Sequence, residues 1–237
     1  MLYYTPCYTF KMDYVYICRS GDNEELRYSL RSVEKNMPSG KVWIVGNRPI
    51  WYIGDFIPVK DIGGKFDNIR NCIEAVSNNI EISENFILMN DDFFALQKIQ
   101  EISIMHGGFL LDKINRYKEL RMPSKYIRLL ELTYNQLIQN NIKDPLDYDI
   151  HVPMVMNKTE LKESLKIAYF PRSAYGNFAN IGGIKIEDVK MYSTDKYMLN
   201  IKNNNYISTE DKSFINLKNN LLEKKLNFIS KFENPNY

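Results

Sequence analysis

Only three cysteines occur in the 237 residues, Cys7, Cys18 and Cys72, and no two of them stand in a Cys-x-x-Cys pair. An odd number without paired spacing argues against a disulfide framework or a cysteine zinc site, and points to a reducing compartment. Histidine is scarcer still: with only His106 and His151, no histidine-rich metal cluster can be built. No run reaches the roughly 18 apolar residues of a spanning helix, and the opening Met-Leu-Tyr-Tyr-Thr-Pro-Cys lacks a basic region followed by an apolar stretch, so a cytoplasmic location is expected. An excess of one charge is missing too, since 31 basic and 29 acidic side chains leave a formal charge of +2, too balanced to advertise nucleic acid or an anionic membrane as partner. The pairs Gly63-Gly64 and Gly182-Gly183 belong to no GxxxxGK[ST] or GxGxxG pattern, and no serine elbow or kinase signature occurs, which leaves P-loop and dinucleotide-binding readings unsupported.

What is present is ordinary globular composition, 44% hydrophobic and 25% charged, enough for a full core in one α/β domain. Residues 14–18, Tyr-Val-Tyr-Ile-Cys, predict a buried strand that stops at a polar turn. A helix over 24–36 follows, with Leu26, Leu30 and Val33 at helical spacing and Glu24 and Glu25 suited to its N-terminal dipole. The pattern repeats: strand 41–45, strand 56–59, helix 67–77, then strand 85–89 ending at Asn90-Asp91-Asp92. Alternation of this kind predicts a mostly parallel sheet covered by helices. Beyond residue 100 the reading is helical: helices over 109–142 broken at Pro123, another over 158–166, and a basic amphipathic helix over 213–232. Turns are expected at Tyr175-Gly176-Asn177 and at Gly182-Gly183. The division expected is an α/β half over 1–100 and a helix-rich half over 101–237, in one domain.

In open α/β sheets the ligand crevice lies at the carboxyl ends of the strands, and those ends carry Arg19, Asp22, Asn47, Arg48, Asp91 and Asp92. The apolar run Phe86-Ile87-Leu88-Met89 followed by paired carboxylates is the most specific of these signals, because hard divalent cations, magnesium or manganese, bind such oxygens and bridge diphosphates. Asp91 and Asp92 are therefore the metal candidates, expected at an exposed strand tip where removal is structurally cheap. A solvated turn or helix cap is the competing reading. Arg19 and Asp22, with Asn90, are the candidates for seating the nucleotide, by a guanidinium fork on phosphate and an acceptor for ribose or base, and an ion pair or cap is the alternative for the first two. His151, after Asp147 and Asp149, is a candidate general base, metal ligand or phosphate contact, or else a structural loop residue; His106, beside Gly107-Gly108, reads as a turn residue. Arg172 stands in an expected loop whose Tyr175, Gly176 and Asn177 can contact sugar or phosphate, or it is a surface charge.

Residues 19–35 (Arg-Ser-Gly-Asp-Asn-Glu-Glu-Leu-Arg-Tyr-Ser-Leu-Arg-Ser-Val-Glu-Lys) with Val42-Trp43-Ile44-Val45-Gly46, and residues 85–94 (Asn-Phe-Ile-Leu-Met-Asn-Asp-Asp-Phe-Phe), resemble the second conserved region of the Stealth family. That family includes bacterial capsular polysaccharide phosphotransferases and the lysosomal-enzyme N-acetylglucosamine phosphotransferase. The resemblance implies a GT-A-like core, a nucleotide-sugar donor and a divalent metal (Mn2+ or Mg2+). A shorter stretch, Tyr148-Asp149-Ile150-His151-Val152-Pro153, is similar to the family's histidine-before-proline region, and Arg172 matches its downstream arginine. These matches imply catalytic roles for His151, Asp92 and Arg172. The family's strand of Trp-Val-Asp-Gly type has no counterpart in these residues. That departure favours transfer of a sugar over transfer of a sugar phosphate, to an acceptor that can be a glycan, a small carrier or a modified DNA base. A rival of another class is a non-catalytic nucleic-acid module on the basic tail, where Lys212, Lys218, Lys224, Lys225 and Lys231 alternate with Phe214 and Phe228.

Overall fold

The computed structural model describes residues 12–192 and 205–237. Its organising element is a strand whose side chains alternate between two apolar layers. In β1 (Asp13–Cys18) Tyr14, Tyr16 and Cys18 face one core, and Val15 faces the other, as the period of two requires. Helix α1 (Glu24–Asn36) packs Leu26, Leu30 and Val33 into the first layer. After β2 (Val42–Gly46) and β3 (Asp55–Pro58), helix α2 (Lys65–Asn78) packs Cys72, Ile73 and Val76 into the second. β4 (Asn85–Asn90) joins β1 on its free side. Val15, Tyr16, Ile44, Val45 and Phe86 are all fully buried, which explains why these strands are continuous apolar runs. The expected strands and helices of the first 95 residues are all present, within two residues at each end.

The chain continues through β5 (Phe93–Ala95), β6 (Met105–His106), α3 (Leu110–Glu119), α4 (Ser124–Gln139), β7 (Met154–Asn157), α5 (Lys158–Ser164) and α6 (Pro171–Phe178). Then follow β8 (Ile184–Lys185), β9 (Lys190–Met191), β10 (Tyr206–Thr209), α7 (Asp211–Leu217), a π-helical turn (Lys218–Leu222) and α8 (Glu223–Lys225). The main sheet has five strands in the order β3-β2-β1-β4-β7, parallel except for β7, which runs antiparallel to β4. A three-stranded sheet, β5-β10-β9, and a two-stranded one, β6-β8, complete the described residues. The fold is mixed α/β with a mostly parallel central sheet flanked by helices. The second half of the chain is helix-rich as expected, but it also returns β7 to the main sheet and supplies most of the smaller ones. No described helix is long and apolar enough to cross a membrane.

Three local expectations are corrected. Tyr175-Gly176-Asn177 lies inside α6, started by Pro171 in its first turn, and not in a turn. Asn177 caps neighbouring backbone there, donating to the carbonyls of Leu146 and Ser173 and accepting from the Leu146 N–H. The tail is no continuous helix over 213–232, because α8 ends at Lys225 and the chain beyond it is drawn back by Glu233. That buried carboxylate accepts from Arg31 Nε at 2.7 Å, Arg31 Nη2 at 2.8 Å and Arg27 Nη1 at 3.2 Å, both arginines on α1. Phe214, offered as a base-stacking surface, is buried, with its ring parallel to that of Phe94 at 6.1 Å. Cys18 and Cys72 are buried free thiols, and Cys7 lies outside the described residues.

Gly176 illustrates how closely the second half of the chain is packed within itself. A Cβ at this position would stand 2.4 Å from Tyr148 Cδ2 and 2.5 Å from its Cε2, and that ring is only 2% exposed. Overpacking of this kind costs about 1–3 kcal/mol. Gly176→Ala is expected to lower stability by that amount in urea unfolding at an unchanged m-value; wild-type stability would show the ring to be free to move.

Candidate functional site

The site begins in the turn after β1. Asn23 adopts a left-handed conformation, φ 49°, and its Nδ2 donates to the Arg19 carbonyl at 2.7 Å and to Cys18 Sγ at 3.1 Å, folding the chain back before α1. Arg19 is thereby held beside carboxylates: Nη2 lies 3.0 Å from Asp211 Oδ1 and 3.5 Å from Glu25 Oε2, and Nε lies 4.0 Å from Asp91 Oδ2. Its side chain is still 58% exposed and open to a ligand. Asp22 is exposed, and what it gives the fold is its backbone carbonyl, which accepts from Trp51 Nε1 at 2.8 Å. Asn90 closes β4, half-buried and in register with Ile17.

Asp91 and Asp92 occupy the tight link from β4 to β5. β5 is held by two buried serines of α1, Ser29 Oγ donating to the Phe93 carbonyl and Ser32 Oγ accepting from the Ala95 N–H at 3.0 Å. The expected exposed tip is corrected here. Asp92 is 14% exposed; its Oδ2 is bonded by Lys190 Nζ and by Ser208 Oγ at 2.9 Å, while Oδ1 is buried with no hydrogen-bond partner. Removal to alanine would strand the lysine, so Asn is the informative replacement.

Topology brings the second half to the same place. Because β7 is antiparallel to β4, with Met154 opposite Leu88, the residues just before β7 emerge at the end where β4 finishes. His151 stands there with its ring edge-on to Phe93, centroids 6.3 Å apart. Its Nδ1 is 2.8 Å from Asp188 Oδ2, and its backbone N–H donates to Asp188 Oδ1 at 3.0 Å. Arg172, on α6 and not in a loop, is buried: Nε donates to the Tyr148 carbonyl at 3.1 Å, Nη2 to the Val152 carbonyl, and Nη1 has no partner. Its guanidinium carbon lies 5.8 Å from the centre of the Phe93 ring. Phe93 is thus the common wall for His151 and Arg172, one residue from Asp92. Tyr175 is buried and Gly176 faces Tyr148, so these neighbours of Arg172 serve packing. His106 Nδ1 accepts from the Gly108 N–H at 3.1 Å.

The electrostatics follow from crowding acids at a poorly solvated strand end. Burial, then the charges of Asp92 and Glu25, push Asp91 up to about 7, with Arg19 opposing. Burial also raises Glu25, again against Arg19. Burial and Asp91 push the Cys18 thiol up to about 12, which removes it as a thiolate nucleophile near neutral pH. Burial lowers Arg172 to about 10, where Asp149, Asp188, Asp147 and Asp92 help to keep it cationic. Burial works against ionisation of Asp188, yet the hydrogen bonds and charge of His151 hold it at about 2.

Sequence reasoning missed Glu25, Phe93, Asp188, Lys190 and Ser208. Glu25 was legible only as a first-turn acid, and Lys190 and Ser208 reach Asp92 through the small β5-β10-β9 sheet, whose short strands carry no periodic signal. Among the described residues no group of three or more His, Cys, Asp or Glu side chains is disposed to hold a metal ion by itself. Comparison with protein-family models finds no match, and comparison with curated proteins finds none either.

The raised Asp91 has a thermodynamic consequence. A carboxyl whose folded pKa exceeds its unfolded value binds its proton more tightly when folded, so its contribution is full below about pH 4 and is lost as pH rises towards about 7. Asp91→Asn should therefore be more stable than wild type at pH 8, with the advantage shrinking towards pH 4, in urea unfolding with chelator present. An advantage independent of pH would contradict this electrostatic account.

Proposed function

We propose that the chain is a metal-dependent glycosyltransferase of GT-A-like fold that takes a nucleotide diphosphate sugar as donor and a hydroxyl-bearing acceptor. The observation that carries this reading is a pair of buried, unpartnered atoms of opposite character on residues next to Phe93: Asp92 Oδ1, which accepts, and Arg172 Nη1, which donates. Buried polar atoms are nearly always satisfied, and a cation with a diphosphate satisfies both. The mostly parallel sheet, with Asp91 and Asp92 at the carboxyl end of β4, supports it further.

The residues fit a hard divalent cation. Asp91 and Asp92 would hold it, and the excess of carboxylate over Arg19 and Lys190 is relieved by it. Two carboxylates suffice, because magnesium-type sites draw their remaining oxygens from substrate phosphates and water. When bound, the ion supplies neutralisation of charge on the departing diphosphate. The chain's own residues do the rest. Arg19, exposed at the end of β1, seats the nucleotide phosphates; Arg172 holds donor charge from the buried side; Phe93 keeps water from the reacting face; His151 takes a proton from the acceptor. Asp22 and Asn90 line the nucleotide end. Catalysis of this kind rests on positioning and on stabilising the leaving group.

Uridine, guanosine, cytidine and thymidine diphosphate sugars should be tried in a thermal-shift panel with and without manganese. One donor is expected to stabilise the protein strongly only with the ion, by about 2.7 kcal/mol at a hundredfold its Kd. Asp92→Asn should abolish that gain and lower turnover by orders of magnitude. Product mass then separates transfer of the sugar from transfer of the sugar phosphate, which differ by one phosphate. Turnover undiminished by excess chelator would sink the metal reading.

Arg19→Gln should raise the donor constant while leaving the acceptor constant unchanged, as measured by varying each substrate separately. Equal effects on both would return Arg19 to a purely structural ion pair.

A further inference from the structure

The sharpest unassigned feature lies beside the metal candidates. Asp188, in the link between β8 and β9, grips one residue with both carboxylate oxygens. Oδ2 lies 2.8 Å from His151 Nδ1, and Oδ1 accepts from the backbone N–H of His151 at 3.0 Å and of Lys190 at 3.3 Å. Two residues further on, the Lys190 side chain is bonded to Asp92. A three-residue segment therefore ties the imidazole to the carboxylate end of β4.

We propose that Asp188 is a positioning residue that fixes His151 as its Nδ1–H tautomer, so that Nε2 carries the free lone pair and receives the proton of an acceptor hydroxyl. An ionised carboxylate can only accept, so the nitrogen facing it must carry the hydrogen. The low pKa of Asp188 keeps that carboxylate ionised throughout the neutral range. Phe93, 1% exposed, meets the ring edge-on and limits its rotation, while the His151 side chain remains 30% exposed. In the step itself the hydroxyl proton passes to Nε2 as the acceptor oxygen bonds to the anomeric carbon. The bond from that carbon to the donor phosphate oxygen breaks, and its electron pair leaves on the nucleoside diphosphate. The substrate part of this inference rests on the transferase reading, whereas the tautomer does not.

Asp188→Asn gives an asymmetric test. Two backbone N–H groups converge on Oδ1, so the amide oxygen of asparagine is held there and its NH2 is turned to Nδ1. Nδ1 must then accept, and the neutral ring inverts to Nε2–H. Long-range proton–nitrogen NMR of histidine-labelled protein reads this directly, because the chain has only two histidines. His106 supplies the opposite reference, since its Nδ1 accepts from Gly108 and its neutral tautomer is Nε2–H. Wild type is expected to show Nδ1–H at His151, and the variant Nε2–H, with the His106 pattern unchanged. With the donor identified in the thermal-shift panel, the variant's kcat should fall about a hundredfold or more and its donor KM stay within about twofold. An Nε2–H tautomer in wild type, or no inversion in the variant, overturns the proposal. If the variant disturbs His106 as well, the wild-type spectrum alone decides. Inversion without turnover in wild type on any nucleotide sugar leaves the tautomer standing and removes the transferase reading; inversion with unchanged kcat removes the proton transfer.

Discussion

The salt bridge from Lys190 to Asp92 is the interaction on which the second half of the structure depends. Two adjacent carboxylates at the end of a buried strand, with Glu25 close enough to raise the pKa of Asp91, form a charge excess that Arg19 by itself does not neutralise. Arg19 is its cation at this end, and it is divided among Asp91, Glu25 and Asp211. The small β5-β10-β9 sheet answers that need by setting Ser208 opposite Phe93 and beside Lys190, so that a hydroxyl and an ammonium reach the same oxygen of Asp92. The other oxygen is left without a partner, an arrangement costly in an inert protein and useful in one that binds a cation.

A second constraint is the direction of β7. A parallel strand in its place would deliver the residues before it to the opposite end of the sheet, far from Asp92. By running antiparallel, β7 lets one loop, 145–153, bring His151 to Phe93 and pack Tyr148 beneath α6. A buried network steadies that loop: Lys113 Nζ lies 2.9 Å from Asp147 Oδ2 and donates to the Asp149 carbonyl at 2.8 Å, while Ser173 Oγ donates to Asp149. Arg172 rides on the same helix as Ser173.

The first 95 residues were legible because each element is long enough for its period to show: Tyr14 to Cys18 alternate, and Leu26, Leu30 and Val33 recur at helical spacing. Asp91 and Asp92 were legible for the same reason, as polar residues terminating an apolar strand. The rest failed for identifiable physical causes. β7, with only Met154 to Asn157, is too short to distinguish from a loop, and β9 has two residues. α6 was hidden by Gly176, read as a turn although the Tyr148 ring demands the missing side chain. The tail's helical pattern was real as far as Lys225, but Glu233, a single buried acid between two arginines, overrides propensity beyond it. Asp188 left no trace in sequence, because a carboxylate that serves one imidazole has no spacing rule.

The ordering of these parts along the chain carries a consequence for biosynthesis. The central sheet can close once β7 has left the ribosome, but Asp92 meets its counter-charge only after residue 190 has been made and its hydroxyl donor only after residue 208, and Arg27 and Arg31 of α1 wait for Glu233. Domains form progressively from the N-terminus during synthesis. Here the nascent chain carries a finished central sheet whose acidic end lacks its lysine until β9 has emerged, so the surroundings of Asp92 are completed after the sheet that bears it.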